Sequence, residues 1–135
     1  MDLRTALESP PTGERARVDR DGRRLVGARC ADCGAPVWPA RAICHRCGSA
    51  AMEPTPFEPT GTLVTHTTVH VPRANLEVPY TLGQVRIDAD GPVVFGHVRG
   101  IDGDRSVPMP VRLGLAADPT EVPWYWFEPE GGPAA

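Results

Sequence analysis

Cys30-Ala-Asp-Cys33-Gly34 and Cys44-His-Arg-Cys47-Gly48 constrain this chain more than any other stretch. They hold all four of its cysteines, with ten residues, 34–43, between the two pairs. In a Cys-x-x-Cys-Gly turn the backbone N–H groups point at the turn's own sulfurs, and the glycine after the second cysteine permits a positive φ. Four thiolates at this spacing can surround one tetrahedral Zn²⁺ at about 2.3 Å per Zn–S bond. The expected metal ligands are therefore Cys30, Cys33, Cys44 and Cys47. A site closed by four thiolates leaves no open position for substrate, so the zinc is expected to build structure and do no chemistry. Two disulfides, a redox pair or a rubredoxin-type iron are the alternatives for the same residues.

A metal ribbon this small cannot bury enough apolar surface to fold on its own core, so the metal must supply the missing free energy. At 135 residues the chain has room for such a module plus one compact domain. Residues 1–10 carry no charged segment followed by an apolar run, so no signal peptide is expected, and the thiols are expected to stay reduced in the cytoplasm. No apolar stretch approaches the ~20 residues that span a bilayer.

Charge divides the chain. Residues 1–50 hold nine Arg against six Asp and Glu, net +3; residues 51–135 hold five Arg against eleven, net −6. There is no Lys, and the Arg, Ala, Gly and Pro bias reads as a GC-rich coding habit. Sixteen Pro and fourteen Gly favour short strands and turns over long helices.

Residues 1–24 read as an N-terminal arm. Leu3, Ala6 and Leu7 have helical spacing, but Pro10-Pro11 stops a helix there. Residues 25–52 read as the zinc ribbon, with Val37, Trp38 and Ile43 expected beside the metal. Residues 53–60 carry three prolines and read as an extended linker. From Gly61 the pattern changes to period two, so strands are expected over 61–71, 80–88, 92–98, 111–115 and 124–127. On the first of these, Leu63, Thr65, Thr67, Val69 and Val71 share a face. Asp90-Gly91 and Asp102-Gly103 supply turns, and Gly83, Gly96 and Gly114 mark bends or bulges. Five short antiparallel strands with a long break after the third fit an OB-fold barrel over 61–128, and 129–135 is a tail. The fold class is mainly β, a rubredoxin-like zinc ribbon followed by that barrel.

No self-contained active site is visible. The chain lacks Gly-x-Ser-x-Gly, a phosphate loop and Gly-x-Gly-x-x-Gly, and zinc takes every cysteine. His66, His70 and His97 are poorly placed for one metal, since i, i+4 on a strand spans about 13 Å. Asp88, Asp90, Asp102 and Asp104 fall in turns, where carboxylates serve turn geometry. The aromatic run Trp124-Tyr-Trp-Phe127 can be part core and part interface. The acidic second half opposes phosphate attraction, which disfavours nucleic acid as a partner.

The two cysteine turns, Trp38-Pro-Ala-Arg41, Gly61 to Val69, Pro79-Tyr80 and Met109-Pro-Val111 together resemble the zinc-ribbon/OB-fold proteins of "domain of unknown function thirty-five". The resemblance runs from about Leu25 to Phe127; residues 1–24 lack the Phe-Trp-type helical start of its members. It implies an accessory subunit of a thiolase-like enzyme, paired as two plus two chains, whose partner carries the catalytic residues. The implied substrate of the complex is a CoA thioester, acted on by a retro-aldolase of steroid side-chain degradation, by a thiolase or by an acyltransferase. The resemblance also implies a second setting in steroid degradation, as the C-terminal part of an enoyl-CoA hydratase subunit. A nucleic-acid-binding ribbon/OB module and a free-standing acyl-CoA-binding protein are the alternative functions. No catalytic residue is assigned to this chain, and which residues touch CoA is left open.

Overall fold

A computed structural model describes residues 18–19, 21–72, 76–101, 106–118, 120–121 and 123–130. The expectations for Leu3, Ala6 and Leu7, the Asp102-Gly103 turn, Asp104, and residues 131–135 of the C-terminal tail lie outside the described residues. The chain forms two compact units: the residues up to Glu58 with Ala89–Pro92, and Pro59–Asp88 with the chain from Val93 onward.

The first unit is built on strand β2, Arg24–Cys30. Its Leu25, Ala28 and Cys30 are buried. Three antiparallel strands pair with it: β1, Val18–Asp19; β3, Pro36–Val37; and β4, Met52–Pro56. The turn between β1 and β2 is held by Asp19, whose Oδ1 accepts from the N–H groups of Asp21 and Gly22 at 3.1 and 3.2 Å. Phe57, just past β4, is buried and donates its N–H to the Leu25 carbonyl at 2.9 Å.

The stretch expected as a linker is therefore divided. Met52–Pro56 is a ribbon strand, with Ala28 opposite Pro54 and Val26 opposite Pro56. Among the described residues β4 pairs only with β2, so it is an edge strand there. Prolines two residues apart fall on one edge of such a strand, and their missing donors can face solvent.

The second unit is a closed barrel of five strands: β5, Thr60–Val69; β6, Tyr80–Ile87; β7, Val93–Val98; β8, Met109–Leu115; and β9, Tyr125–Pro129. Their order around the barrel is β5-β6-β7-β9-β8, closed by β8 on β5. All neighbours are antiparallel except β7 and β9, which run parallel and meet at Val98 and Phe127. This is the five-strand OB-fold arrangement. Leu63, Val85, Val94, Val111 and Phe127 fill the interior.

Two details differ from the period-two reading. β5 carries a bulge between Leu63 and Thr65, so two residues of β5 oppose one of β6 and the alternation changes phase. Leu63 is buried while Thr65 and Thr67 are exposed, so they do not share its face. Gly83 lies against this bulge, next to the residues of β6 that oppose Leu63 and Thr65. A Cβ there would lie 2.6 Å from Leu63 Cδ1 and 2.9 Å from the Thr65 carbonyl oxygen, so close strand and side-chain approach requires the glycine. The turn after β6 places its positive φ values at Ala89 and Asp90 rather than at Gly91.

Candidate metal centre

The two cysteine turns have matching hydrogen bonds. The Gly34 N–H donates to the Cys30 carbonyl at 2.9 Å, and the Gly48 N–H donates to the Cys44 carbonyl at 3.0 Å. Gly34 and Gly48 have φ of 79° and 78°, the left-handed region that a Cβ disfavours. The Cys33 N–H points at Cys30 Sγ at 3.5 Å, and the Arg46 N–H at Cys44 Sγ at 3.3 Å.

The turns bring four sulfurs together. All four Sγ atoms lie within 4.8 Å of one another, and among the described residues they are the one such group of possible metal ligands. Cys30 and Cys47 Sγ are 3.6 Å apart, as are Cys33 and Cys44 Sγ. A disulfide needs about 2.05 Å. Bonds of about 2.3 Å in a tetrahedron put sulfurs about 3.8 Å apart, so the spacing suits a four-thiolate zinc site. Cys30 and Cys44 are buried, Cys33 is half-buried and Cys47 is exposed.

Electrostatics point the same way. The Cys33 N–H, with other donors, holds the Cys30 thiol below its ordinary range despite burial. The Cys47 N–H is the main cause that brings Cys44 down to about 6. At Cys47 the Ser49 N–H lowers the value, but Cys30, burial, Cys33 and Cys44 outweigh it and push the thiol up to about 12. Sulfurs this close resist sharing full negative charge. A dication at the centre removes that cost, which is the chemistry of a metal site.

The apolar lining differs in part from expectation. Buried Ala35, with partly buried Met52, packs at the cysteines. Ile43, expected beside the metal, is 51% exposed. Ala35 directly follows the first turn and Met52 pairs with Cys30 across β2 and β4. Only the second of these placements required knowing that the proline-rich stretch is a strand. His45 is exposed within its turn.

The barrel histidines do not assemble. His66 pairs with Gly83 and His97 with Leu82, so they lie on opposite faces, and His70 falls beyond the end of β5. His97 instead packs on Tyr80, ring centroids 5.3 Å apart. Both line an open cavity of about 450 Å³ with Leu76, Glu77, Arg99 and Ile101. The Arg99 guanidinium lies 3.9 Å from the centroid of the Trp126 ring. Within the aromatic run, Phe127 is core while Trp124, Tyr125 and Trp126 are half-buried. Val93 and Phe95 on β7 are exposed by 54% and 57%. No helix among the described residues is long and apolar enough to cross a membrane.

This two-unit arrangement has known counterparts. The family model for the ChsH2 rubredoxin-like zinc ribbon domain matches residues 20–53, and that for the ChsH2 C-terminal OB-fold domain matches residues 55–116. A "DUF35 domain-containing scaffold protein" of Pyrococcus furiosus is 34% identical over 101 residues, covering 73% of this chain and 69% of that protein. The chain belongs to the DUF35 family. A second DUF35 scaffold protein, from Methanocaldococcus jannaschii, is 29% identical over 77 residues, covering 55% of this chain and 54% of that one. Among solved structures, the chain is similar to one in the "Ltp2-ChsH2(DUF35) aldolase", with a TM-score of 0.65, 26% identity and 96% of each chain covered. A DUF35 protein of Sulfolobus solfataricus shares the fold at a TM-score of 0.56 and 16% identity, covering 91% of this chain and 88% of that one.

Proposed function

We propose that this DUF35 chain is an accessory, non-catalytic subunit of a thiolase-fold enzyme acting on acyl-CoA thioesters. The observation that carries the reading is the likeness to the chain of the Ltp2-ChsH2(DUF35) aldolase, which extends over 96% of both molecules at 26% identity. The scaffold description of the Pyrococcus furiosus relative agrees with it. In this reading Cys30, Cys33, Cys44 and Cys47 bind one structural Zn²⁺ that holds the ribbon together. Exposed Val93 and Phe95 are apolar side chains that burial against a second chain would remove from water.

The reaction of the complex is cleavage of a carbon–carbon bond at the β-position of a CoA thioester. A base removes the β-hydroxyl proton, the bond to the α-carbon breaks, and the enolate that leaves is stabilised in an oxyanion hole. Those groups belong to the partner. A retro-aldolase of steroid side-chain degradation is the favoured reaction and a thiolase the second. The favoured assembly is two copies of each chain in the cytoplasm.

The test is a pull-down from the native host with the tagged full chain, followed by assays on CoA thioesters. A stoichiometric thiolase-sized partner, with activity found only in the complex, is the expected result. Turnover by the isolated chain would end the accessory reading, as would salt-sensitive RNA or DNA binding in place of a protein partner.

A further inference from the structure

Ser49 lies two residues beyond Cys47, and Asp32 lies inside the first turn, between Cys30 and Cys33. Ser49 is tied to both turns. Its carbonyl accepts the N–H of Cys44 at 2.8 Å. Its hydroxyl accepts the Ala51 N–H at 3.0 Å and donates to Asp32 Oδ2. The Ala51 carbonyl accepts the N–H of Ala31, the residue next to Asp32, at 2.8 Å. Ala31, Asp32, Ser49 and Ala51 therefore close a ring of hydrogen bonds that joins the two cysteine turns without using a sulfur.

We propose that Asp32 and Ser49 form a clasp that positions the two cysteine pairs for the metal, so that both are positioning residues for Zn²⁺ rather than ligands. This rests on reading the four cysteines as a zinc site. The clasp has a specific task. The half-buried Cys33 and the exposed Cys47 are the sulfurs a competing chelator can reach first, and they belong to different turns. Metal loss requires the turns to separate. The backbone bond from Ala31 and the side-chain bond to Asp32 both oppose that separation. Groups outside the ligand set that orient ligands typically change metal affinity by about 10–100-fold when removed.

The experiment uses the full chain. Zinc content is measured by mass spectrometry, zinc release to a chromophoric chelator is timed, and the Co²⁺-substituted absorption spectrum is recorded. Ser49→Ala and Asp32→Ala are each expected to release zinc on the order of tenfold faster. Ser49→Thr keeps a hydroxyl and Asp32→Asn keeps an acceptor, so both should stay near the unmodified rate. The double variant Asp32→Ala with Ser49→Ala should be no faster than Ser49→Ala alone, because removing the hydroxyl already removes the bond to Asp32. The tetrathiolate Co²⁺ spectrum should persist in the rescuing variants and broaden in the alanine ones. Equal release rates for all proteins, each holding one zinc, would overturn the clasp. Asp32→Asn as fast as Asp32→Ala would also overturn it, in favour of a charge effect. An unmodified chain without zinc would instead overturn the metal reading itself.

Discussion

The Tyr125 hydroxyl donates to the Phe95 carbonyl at 2.8 Å, spanning the seam where β7 and β9 share a single ladder pair. The same ring fills the space beside Gly96, where a Cβ would lie 2.8 Å from Tyr125 Cε2. The Tyr125 side-chain bond adds to a seam whose backbone pairing is short, where the Arg99 N–H donates to the Phe127 carbonyl at 2.8 Å. Gly96→Ala is expected to cost about 1–3 kcal/mol through overpacking. Tyr125→Phe should cost about 0.5–1.5 kcal/mol through the lost hydrogen bond. Denaturant midpoints of the barrel transition check both, and an unchanged midpoint for Gly96→Ala would contradict the close approach.

Removal of the metal should separate the two units in stability. Among the described residues the ribbon's buried apolar side chains are few and mostly small, whereas the barrel has its own core of Leu63, Val85, Val94, Val111 and Phe127. A chelator, or Cys44→Ser, is expected to accelerate amide exchange in β2, β3 and β4 while β5 to β9 stay protected. Hydrogen-exchange mass spectrometry reads this directly. Equal loss of protection in both units would show that the barrel depends on the ribbon.

The cysteine spacing made the metal centre legible, because it fixes which sulfurs a short loop can bring together. The barrel was legible for a different reason: Val85 and Ile87, or Val94 and Val98, alternate with exposed residues as a half-buried strand must. Two features hid themselves. Pro54 and Pro56 disguised β4 as a linker, since residue type does not reveal that their ring nitrogens can sit on an unpaired edge. The bulge after Leu63 depends on how β5 fits β6, which a count by twos along one strand does not contain. Ala35 was missed as metal lining because a small residue becomes informative only when its burial is seen.

Gly34 and Gly48 offer a test of backbone conformation free of packing. Each has a positive φ, and a Cβ at either would meet nothing within 4 Å. Substitution by Ala therefore strains the backbone alone, by about 1–2 kcal/mol. Asn, which tolerates the left-handed region better, should cost less at either position. The ribbon's zinc-dependent transition, followed by titration with metal and denaturant, should rank Gly above Asn above Ala. An Ala variant as stable as the parent would contradict the turn geometry.

His97 should give the barrel a pH dependence in the acid direction. Burial lowers its pKa, and the positive charge of Arg99 adds to the effect. Glu77 and Tyr80 line the same cavity, but the net direction is downward. The folded barrel thus prefers the neutral imidazole, while the unfolded chain takes up a proton near pH 6.5. Between the folded value and about 6.5 the unfolded state binds more protons, so stability rises with pH across that window. The contribution is fully present above about 6.5 and is lost as pH falls toward the folded value. His97→Gln should remove this slope while leaving any constant loss from the Tyr80 contact. Barrel stability from denaturant curves at several pH values from 7.5 down to about 5, compared between the two proteins, is the measurement. Parallel curves would show that His97 is not the group responsible.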